Sequence, residues 1–325
     1  MTRAVRVHAY GGPDVLKVED IAVAAPGPGE VKIRQTAIGL NFIDVYLRTG
    51  LYPQPSLPFI PGMEGAGVVM ELGAGVSGLK PGDRIAYAGP AGGYAEERLI
   101  AADRLVPLPA SISDQTAAAM MLQGMTAEYL LNRTFKVGPS TVLLFHAAAG
   151  GVGLIACQWA RELGATLIGT AGSPEKMALA KAHGATHVIN YRSENFVERV
   201  KDITGGKLCD VVYDSVGQDT YLGSLDCLKP RGLLVAFGQS SGPIPPFNLA
   251  ILNQKGSLYV TRPAMGAYVA KREELLASAG ALFDLVGRGK MKIEVNQTYP
   301  LSRAADAHRD LEARKTTGST VLLPG

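Results

Sequence analysis

The stretch 140–164 reads STVLLFHAAAGGVGLIACQWARELG and constrains the fold more than any other part of the chain. A short apolar run, Val142–Phe145, passes through small residues into Gly150, Gly151 and Gly153, then continues with helical spacing through Ile155, Trp159 and Leu163. That pattern predicts a buried strand, a tight turn and a helix. A helix beginning this close to a strand end keeps its first backbone N–H groups unpaired and its positive dipole end exposed, which suits a pyrophosphate. The glycine pattern is A-x-x-G-x-x-G from Ala147 to Gly153, with alanine where the usual fingerprint begins on glycine. Alone it also fits plain helix–strand packing, so the surrounding chain has to decide.

Downstream, the same unit repeats. Strands are expected at 166–170, 186–190, 210–213, 232–237 and 257–261, with helices at 174–183, 194–203, 220–228 and 249–253. Buried strands alternating with helices of this length indicate a doubly wound, six-stranded parallel sheet of the Rossmann kind, covered on both faces. A sheet that begins at a glycine turn favours dinucleotide binding there.

The end of the second strand bears on which dinucleotide. An NAD site presents Asp or Glu to the ribose 2′-hydroxyl about twenty residues after the turn. Here the chain reads Thr170-Ala171-Gly172-Ser173-Pro174-Glu175-Lys176, with no acid at the strand end. A 2′-phosphate would meet backbone and hydroxyl donors at a helix start plus one cation, Lys176. NADPH is the expected cofactor. Glu175 is expected to face solvent.

Residues 3–104 differ in kind. Short alternating runs at 31–38, 65–72, 84–87 and 94–100 are punctuated by Gly11-Gly12-Pro13, Pro26-Gly27-Pro28-Gly29, Pro61-Gly62 and Lys80-Pro81-Gly82-Asp83. This predicts a mostly β domain, a partly closed barrel. Residues 39–50 interrupt it with helical spacing, Asn41 standing at the position of an N-cap, and the proline-rich 51–62 follows as a loop. Residues 111–133 read as one or two helices connecting the domains, capped by Ser111 or Ser113.

At 325 residues the chain is long enough for two domains. A formal charge of +3 with scattered Lys and Arg argues against a nucleic-acid surface, which clusters basic residues among exposed aromatics. The first ten residues lack a signal peptide's apolar core, and no apolar stretch reaches the length of a bilayer span. A cytoplasmic protein with no membrane partner is expected. Cys157, Cys209 and Cys227 are odd in number and read as core residues rather than a disulfide framework.

The run HAAAGGVG at 146–153 with GLIACQWA, VINYR at 188–192, VVYDSVG at 211–217, NQKGSLYVTRP at 253–263 and GLNFIDVY at 39–46 together resemble the NADPH:quinone oxidoreductases, the zinc-independent, zeta-crystallin-like branch of the medium-chain dehydrogenase/reductase superfamily. The resemblance runs over essentially the whole chain. It implies a discontinuous GroES-like substrate domain, 1–123 and 264–325, around a Rossmann domain at 124–263. It places Asn41, Phe42, Asp44, Tyr46, Thr126 and Tyr129 against the nicotinamide half of the cofactor, and Gly150, Gly151, Val152 and Gly153 at the pyrophosphate. Gly172, Ser173, Lys176 and Tyr191 resemble the 2′-phosphate pocket, with Arg314 as a second cation. Val216, Phe237, Gly238, Ser240 and Ser241 fall at later strand ends, and Ala264 and Met265 follow the last strand.

Zinc-containing members of that superfamily carry a cysteine where this chain has Asn41, a His-Glu pair where it has Met63-Glu64, and a four-cysteine lobe. Here no cysteine precedes Cys157 and His8, His146, His183, His187 and His308 are dispersed, so no metal is expected. Glu64, without its usual neighbour, reads as structural.

Without a metal to polarise a carbonyl, the substrate must accept hydride readily, as a quinone does. Asn41 is then a candidate donor to a developing oxyanion, and Tyr46 or Tyr52 to orient substrate or relay a proton. His146, beside the glycine turn, reads as a hydrogen-bonded structural residue. The nearest rival substrate class is an enone or enoyl-thioester. A more distant rival is a structural NADPH-binding or AU-rich-RNA-binding protein. The last strand of the Rossmann sheet, 257–261, would be an open edge in a monomer, so pairing with a second copy in a homodimer is expected.

Overall fold

The computed structural model describes residues 1–325, which divide into two compact units. One comprises residues 1–123, 271–287 and 293–325, the other 124–270 and 288–292.

The second unit is built on a six-stranded parallel sheet. Across it the strands run His187–Asn190, Thr166–Ala171, Val142–Phe145, Cys209–Asp214, Leu228–Ala236 and Tyr259–Thr261. Counted along the chain this is the order 3-2-1-4-5-6, so the winding reverses between Val142–Phe145 and Cys209–Asp214. Leu144, Ile168, Ile189, Val212 and Leu234 are buried at the middle of successive strands, which is why these segments read as continuous apolar runs rather than alternations. The last strand is shorter than the apolar run 257–261 suggests. Ser257 adopts φ 55°, in the left-handed region, so extended backbone begins only beyond it.

The first unit is mostly β. Its largest sheet runs Val295–Pro300, Ser319–Leu323, Glu30–Leu40, Glu64–Leu72, Arg84–Ala88 and Val106–Pro107, with Glu97–Ala101 also pairing with Glu30–Leu40. Glu30–Leu40 therefore has three partners: Glu64–Leu72 from Val31 to Gly39, Glu97–Ala101 along Glu30 to Arg34, and Ser319–Leu323 along Ile38 to Leu40. Register shifts after Lys32 and Gln35 in its pairing with Glu64–Leu72 bend it along its length. Its N-terminal half packs Val31 and Ile33 with Val69, Ile85, Tyr87 and Ile100. Its C-terminal half packs Ile38 and Leu40 with Val5, Tyr94, Leu301 and Leu322. The C-terminal strand of the chain is thus a structural member of the unit formed by its first third. Residues 292–295 look like a strand in sequence, yet the strand observed is Val295–Pro300. Its parallel partner begins at Ser319 opposite Val295, and this pairing, not the local apolar spacing, sets where it starts. Likewise 94–100 contributes a strand only from Glu97, Ala95 making an isolated bridge to Ala4.

Candidate active site

The glycine turn of the second unit keeps a glycine-like backbone where its first glycine is missing. Ala147 stands at φ 54°, a conformation that glycine adopts freely and alanine tolerates only as a single residue. The helix Gly151–Glu162 starts at Gly150, which has no side chain to cap it, so its leading N–H groups are left for a ligand. A Cβ on Gly153 would lie 2.5 Å from the carbonyl oxygen of Ala147 and 2.7 Å from backbone atoms of Ala148, so only glycine lets the helix sit this close to the turn. Together these make a backbone cradle for an anion.

Behind it, His146 is buried with Nδ1 3.1 Å from Thr170 Oγ1 and Nε2 3.0 Å from Ser224 Oγ. Ser224 donates its own hydrogen to Asp214 Oδ2 at 2.8 Å, so it accepts from His146 Nε2–H. Burial lowers the pKa of the ring, which stays neutral. His146 is spoken for by structure.

Asp214 also accepts from the N–H groups of Val216 and Gly217 (2.8 and 3.0 Å), folding the loop beyond its strand. That loop is tied to the next strand end, where Ser240 N donates to Ser215 O (3.2 Å) and Ser241 N to Val216 O (2.9 Å). Phe237 packs on Phe145 with ring centroids 5.6 Å apart. Val216, Phe237, Gly238, Ser240 and Ser241 therefore lie together at the carboxyl ends of adjacent strands. No local pattern marks Arg262, whose Nη1 donates to Ala236 O at 2.7 Å and so binds the last two strand ends together.

At the end of Thr166–Ala171, Ser173 caps the helix Pro174–Ala182 by accepting from Lys176 N. Tyr191 closes over Gly172: a Cβ there would stand 2.5 Å from the tyrosine oxygen. Glu175 is exposed, its carboxyl held below the usual range by a hydrogen bond to the Ser173 side chain. Tyr129, on the helix Met121–Tyr129, stacks on Tyr268 at 4.4 Å and 13°. Thr126 lies one turn earlier, and the helix then widens into a π turn at Leu130–Thr134. Ala264 and Met265 begin the short helix Met265–Tyr268.

In the first unit, Asn41 heads the helix Phe42–Thr49, and Asp44 Oδ2 accepts from its backbone N–H at 2.9 Å. Tyr46 and Tyr52 meet edge to face with centroids 5.2 Å apart, and Phe42 is tilted against Tyr46 at 5.4 Å. The Asn41 side chain is 2.6 Å from Glu64 Oε2 through Nδ2 and 3.0 Å from Gln123 Nε2 through Oδ1. Burial pushes the Glu64 carboxyl up to about 8 and that of Asp44 up to about 7, against the hydrogen bonds each accepts. Arg314 belongs to this unit too, where its φ of 58° ends the chain segment after the helix Ala304–Glu312.

A parallel sheet wound 3-2-1-4-5-6 with a glycine turn on its first strand, carried on one chain with a bent β unit, defines the medium-chain dehydrogenase/reductase class. Residues 151–280 match the zinc-binding dehydrogenase family, and residues 27–110 match the alcohol dehydrogenase GroES-like domain. A quinone oxidoreductase of Pseudomonas aeruginosa is 56% identical over 325 residues, covering all of both chains. The crystal structure of Escherichia coli quinone oxidoreductase complexed with NADPH superposes with a TM-score of 0.98 at 52% identity, over 99% of this chain and 100% of that one. A 2-haloacrylate reductase of a Burkholderia species is 46% identical over all of this chain and 99% of its own. The chain belongs to the quinone oxidoreductase family. The zinc of the wider class does not fit the residues here: Asn41, Met63 and Glu64 offer neither thiolate nor imidazole, and no three His, Cys, Asp or Glu side chains gather into a metal-holding set.

Proposed function

We propose that this chain reduces quinones with NADPH by hydride transfer, using no metal ion. It is an NADPH-dependent oxidoreductase, and the quinone is the part of the reading that its substrate side supports. Gly150, Gly151, Val152 and Gly153 hold the pyrophosphate on backbone N–H groups, while Gly172, Ser173, Lys176 and Tyr191, with Arg314, take the 2′-phosphate. Phe42, Asp44, Thr126, Tyr129, Val216, Phe237, Gly238, Ser240, Ser241, Ala264 and Met265 complete the cofactor contacts. When bound, NADPH supplies the hydride.

The rest falls to side chains of this chain. Asn41 donates an amide N–H to the quinone oxygen as negative charge develops on it. Tyr46 and Tyr52 orient the ring, and a tyrosine hydroxyl or water delivers the proton. The observation carrying this reading is the donor set at Asn41: a fixed amide, with no thiolate or imidazole to seat a Lewis acid. Such a set favours an acceptor whose reduced form is aromatic and needs no metal.

Steady-state NADPH oxidation tests it with 1,4-benzoquinone and 1,2-naphthoquinone beside a conjugated enone and 2-chloroacrylate at matched concentrations. The quinones should give the higher kcat/KM. A higher value for the enone or the haloacrylate would instead establish the second reading, reduction of an activated C=C bond, which the 46% identical 2-haloacrylate reductase favours. We further propose a homodimer through the edge strand Tyr259–Thr261, where Tyr259 is 61% exposed, and a cytoplasmic setting in keeping with three buried free thiols.

A further inference from the structure

Asn41 is held by a chain of buried, hydrogen-bonded side chains. Ser319 Oγ is 2.7 Å from Gln123 Oε1, Gln123 Nε2 is 3.0 Å from Asn41 Oδ1, and Asn41 Nδ2 is 2.6 Å from Glu64 Oε2. The far end is closed by the backbone N–H of Leu122, which donates to Glu64 Oε1 at 2.8 Å. All four side chains are buried, Glu64 completely. They come from the strand Ser319–Leu323, the helix Met121–Tyr129, the head of Phe42–Thr49 and the strand Glu64–Leu72.

An amide end bearing hydrogens donates and its oxygen end accepts, so the two ends of Asn41 are not interchangeable. The structure places Asn41 Nδ2 toward Glu64 and Oδ1 toward Gln123 Nε2, with the Gln123 oxygen facing Ser319 Oγ, which also lies 2.9 Å from Ala119 O. Asn41 has two amide hydrogens, and this arrangement commits one of them. The other keeps its direction as long as Gln123 and Glu64 hold the amide in this orientation.

We propose that Glu64, Gln123 and Ser319 are positioning residues for the reduction: together they fix which end of the Asn41 amide is the donor and where its uncommitted hydrogen points. This rests on the proposed contact of Asn41 with the substrate. It revises the reading of Glu64 as merely structural.

A double-mutant cycle tests it. Asn41→Ala, Gln123→Met, Ser319→Ala and Glu64→Gln are made singly, and each of the last three is also combined with Asn41→Ala. For each variant, kcat with 1,2-naphthoquinone and the Kd for NADPH are measured. Asn41→Ala should lower kcat about a hundredfold, the scale of a lost oxyanion donor. Gln123→Met should lower it about tenfold and Ser319→Ala about threefold, with NADPH Kd unchanged within about twofold. In the Asn41→Ala background the same changes should alter kcat by less than about twofold, because they act through the residue already removed.

Losses that multiply in that background would overturn the positioning role while leaving Asn41 as the donor. Full turnover in Asn41→Ala alone would remove the donor, and the positioning role with it. If Glu64→Gln does not fold, the Ser319→Ala cycle decides alone, since that change leaves the Glu64 contacts intact.

Discussion

Arg48 Nη1 lies 3.1 Å from His308 Nδ1, across 260 positions of sequence, and both side chains are buried. A guanidinium only donates, so Nδ1 accepts and the ring carries its hydrogen on Nε2, 3.0 Å from Tyr94 Oη. Tyr94 in turn donates to Asp44 Oδ2 at 3.3 Å, and the same oxygen caps the helix that Asn41 heads. Glu312 balances the guanidinium through both of its oxygens at 2.8 Å. Arg48 thus sets the tautomer of a histidine on the C-terminal helix that, through Tyr94, orients the carboxylate beside the proposed substrate donor.

Burial and the neighbouring guanidinium push His308 down to about 3. Below pH 6.5 the unfolded chain takes up a proton that folded His308 refuses, so its contribution to stability is lost as pH falls from about 6.5 toward 3. Glutamine can accept from Arg48 with its oxygen and donate to Tyr94 with its nitrogen, without titrating. His308→Gln should therefore lose less Tm than the wild type between pH 7 and pH 5. Equal losses in differential scanning calorimetry would show that His308 carries no part of the acid limb.

Glu64 acts with the opposite sign. Its carboxyl, pushed up to about 8 from 4.5, holds a proton in the folded state that the unfolded chain has already released. Its contribution is full below pH 4.5 and is lost as pH rises through about 8. Asp44, pushed up to about 7, adds to the same trend. Tm should decline from pH 6 to pH 9, and Glu64→Gln should decline less over that interval whatever its starting value. An identical slope in the two proteins counts against a titrating Glu64.

How much of this was legible beforehand follows from the range of the interactions. The strand, turn and helix around Gly153 are set by residues within a few positions of one another, so periodicity reveals them, and Ser173 as a cap is equally local. Ala147 was visible as a departure from pattern, and its positive φ shows that the backbone there keeps the conformation that favours glycine. The partners of Asn41 were not visible. Gln123 is 82 positions away and Glu64 is 23, and nothing in their own neighbourhoods marks them as a hydrogen-bonded set. The same holds for Arg48 with His308, and for the start of Val295–Pro300, which a partner strand decides. What depended on tertiary pairing of single polar groups could not be read from spacing.

Lys176 follows Ser173 on the first turn of its helix, at a strand end without a carboxylate. A cation there interacts with a 2′-phosphate and has little to meet on a bare ribose hydroxyl. Lys176→Ala should raise KM for NADPH about tenfold while changing KM for NADH less than about twofold, the size of one lost charge-assisted contact. Equal losses for both nucleotides would place Lys176 outside the 2′-phosphate pocket.

Gly153 separates packing from chemistry. A Cβ there would press on backbone atoms of Ala147 and Ala148, which cannot rotate away as a side chain would. Gly153→Ala should destabilise the protein by about 1–3 kcal/mol and weaken NADPH binding, since the turn that must shift is the one offering its N–H groups. Gly280→Ala is the control. It lies within the helix Arg272–Gly287 with nothing within 4 Å of the added carbon, and should be neutral or stabilise by about 0.4–1 kcal/mol. Urea titration with and without NADPH separates the two effects. A Gly153→Ala protein of wild-type stability and affinity would mean that the turn has slack the packing does not reveal.

The edge strand Tyr259–Thr261 pairs on one side only, with Leu228–Ala236, and leaves the other row of backbone groups without a strand. Tyr259 is 61% and Val260 37% exposed, and Leu249 and Leu222 are exposed elsewhere in the same unit. An uncharged, apolar edge of this kind is what proteins ordinarily protect, either with charge or with a partner. Tyr259→Lys together with Val260→Lys supplies the charge, and in a two-fold assembly it places like charges opposite one another across the symmetry axis. Sedimentation velocity should then show a dimer for the wild type and a monomer for the double variant. NADPH Kd should change little, because neither side chain is among the proposed cofactor contacts. A wild type that sediments as a monomer would refute the proposed interface, and a double variant that stays dimeric would move it to another face.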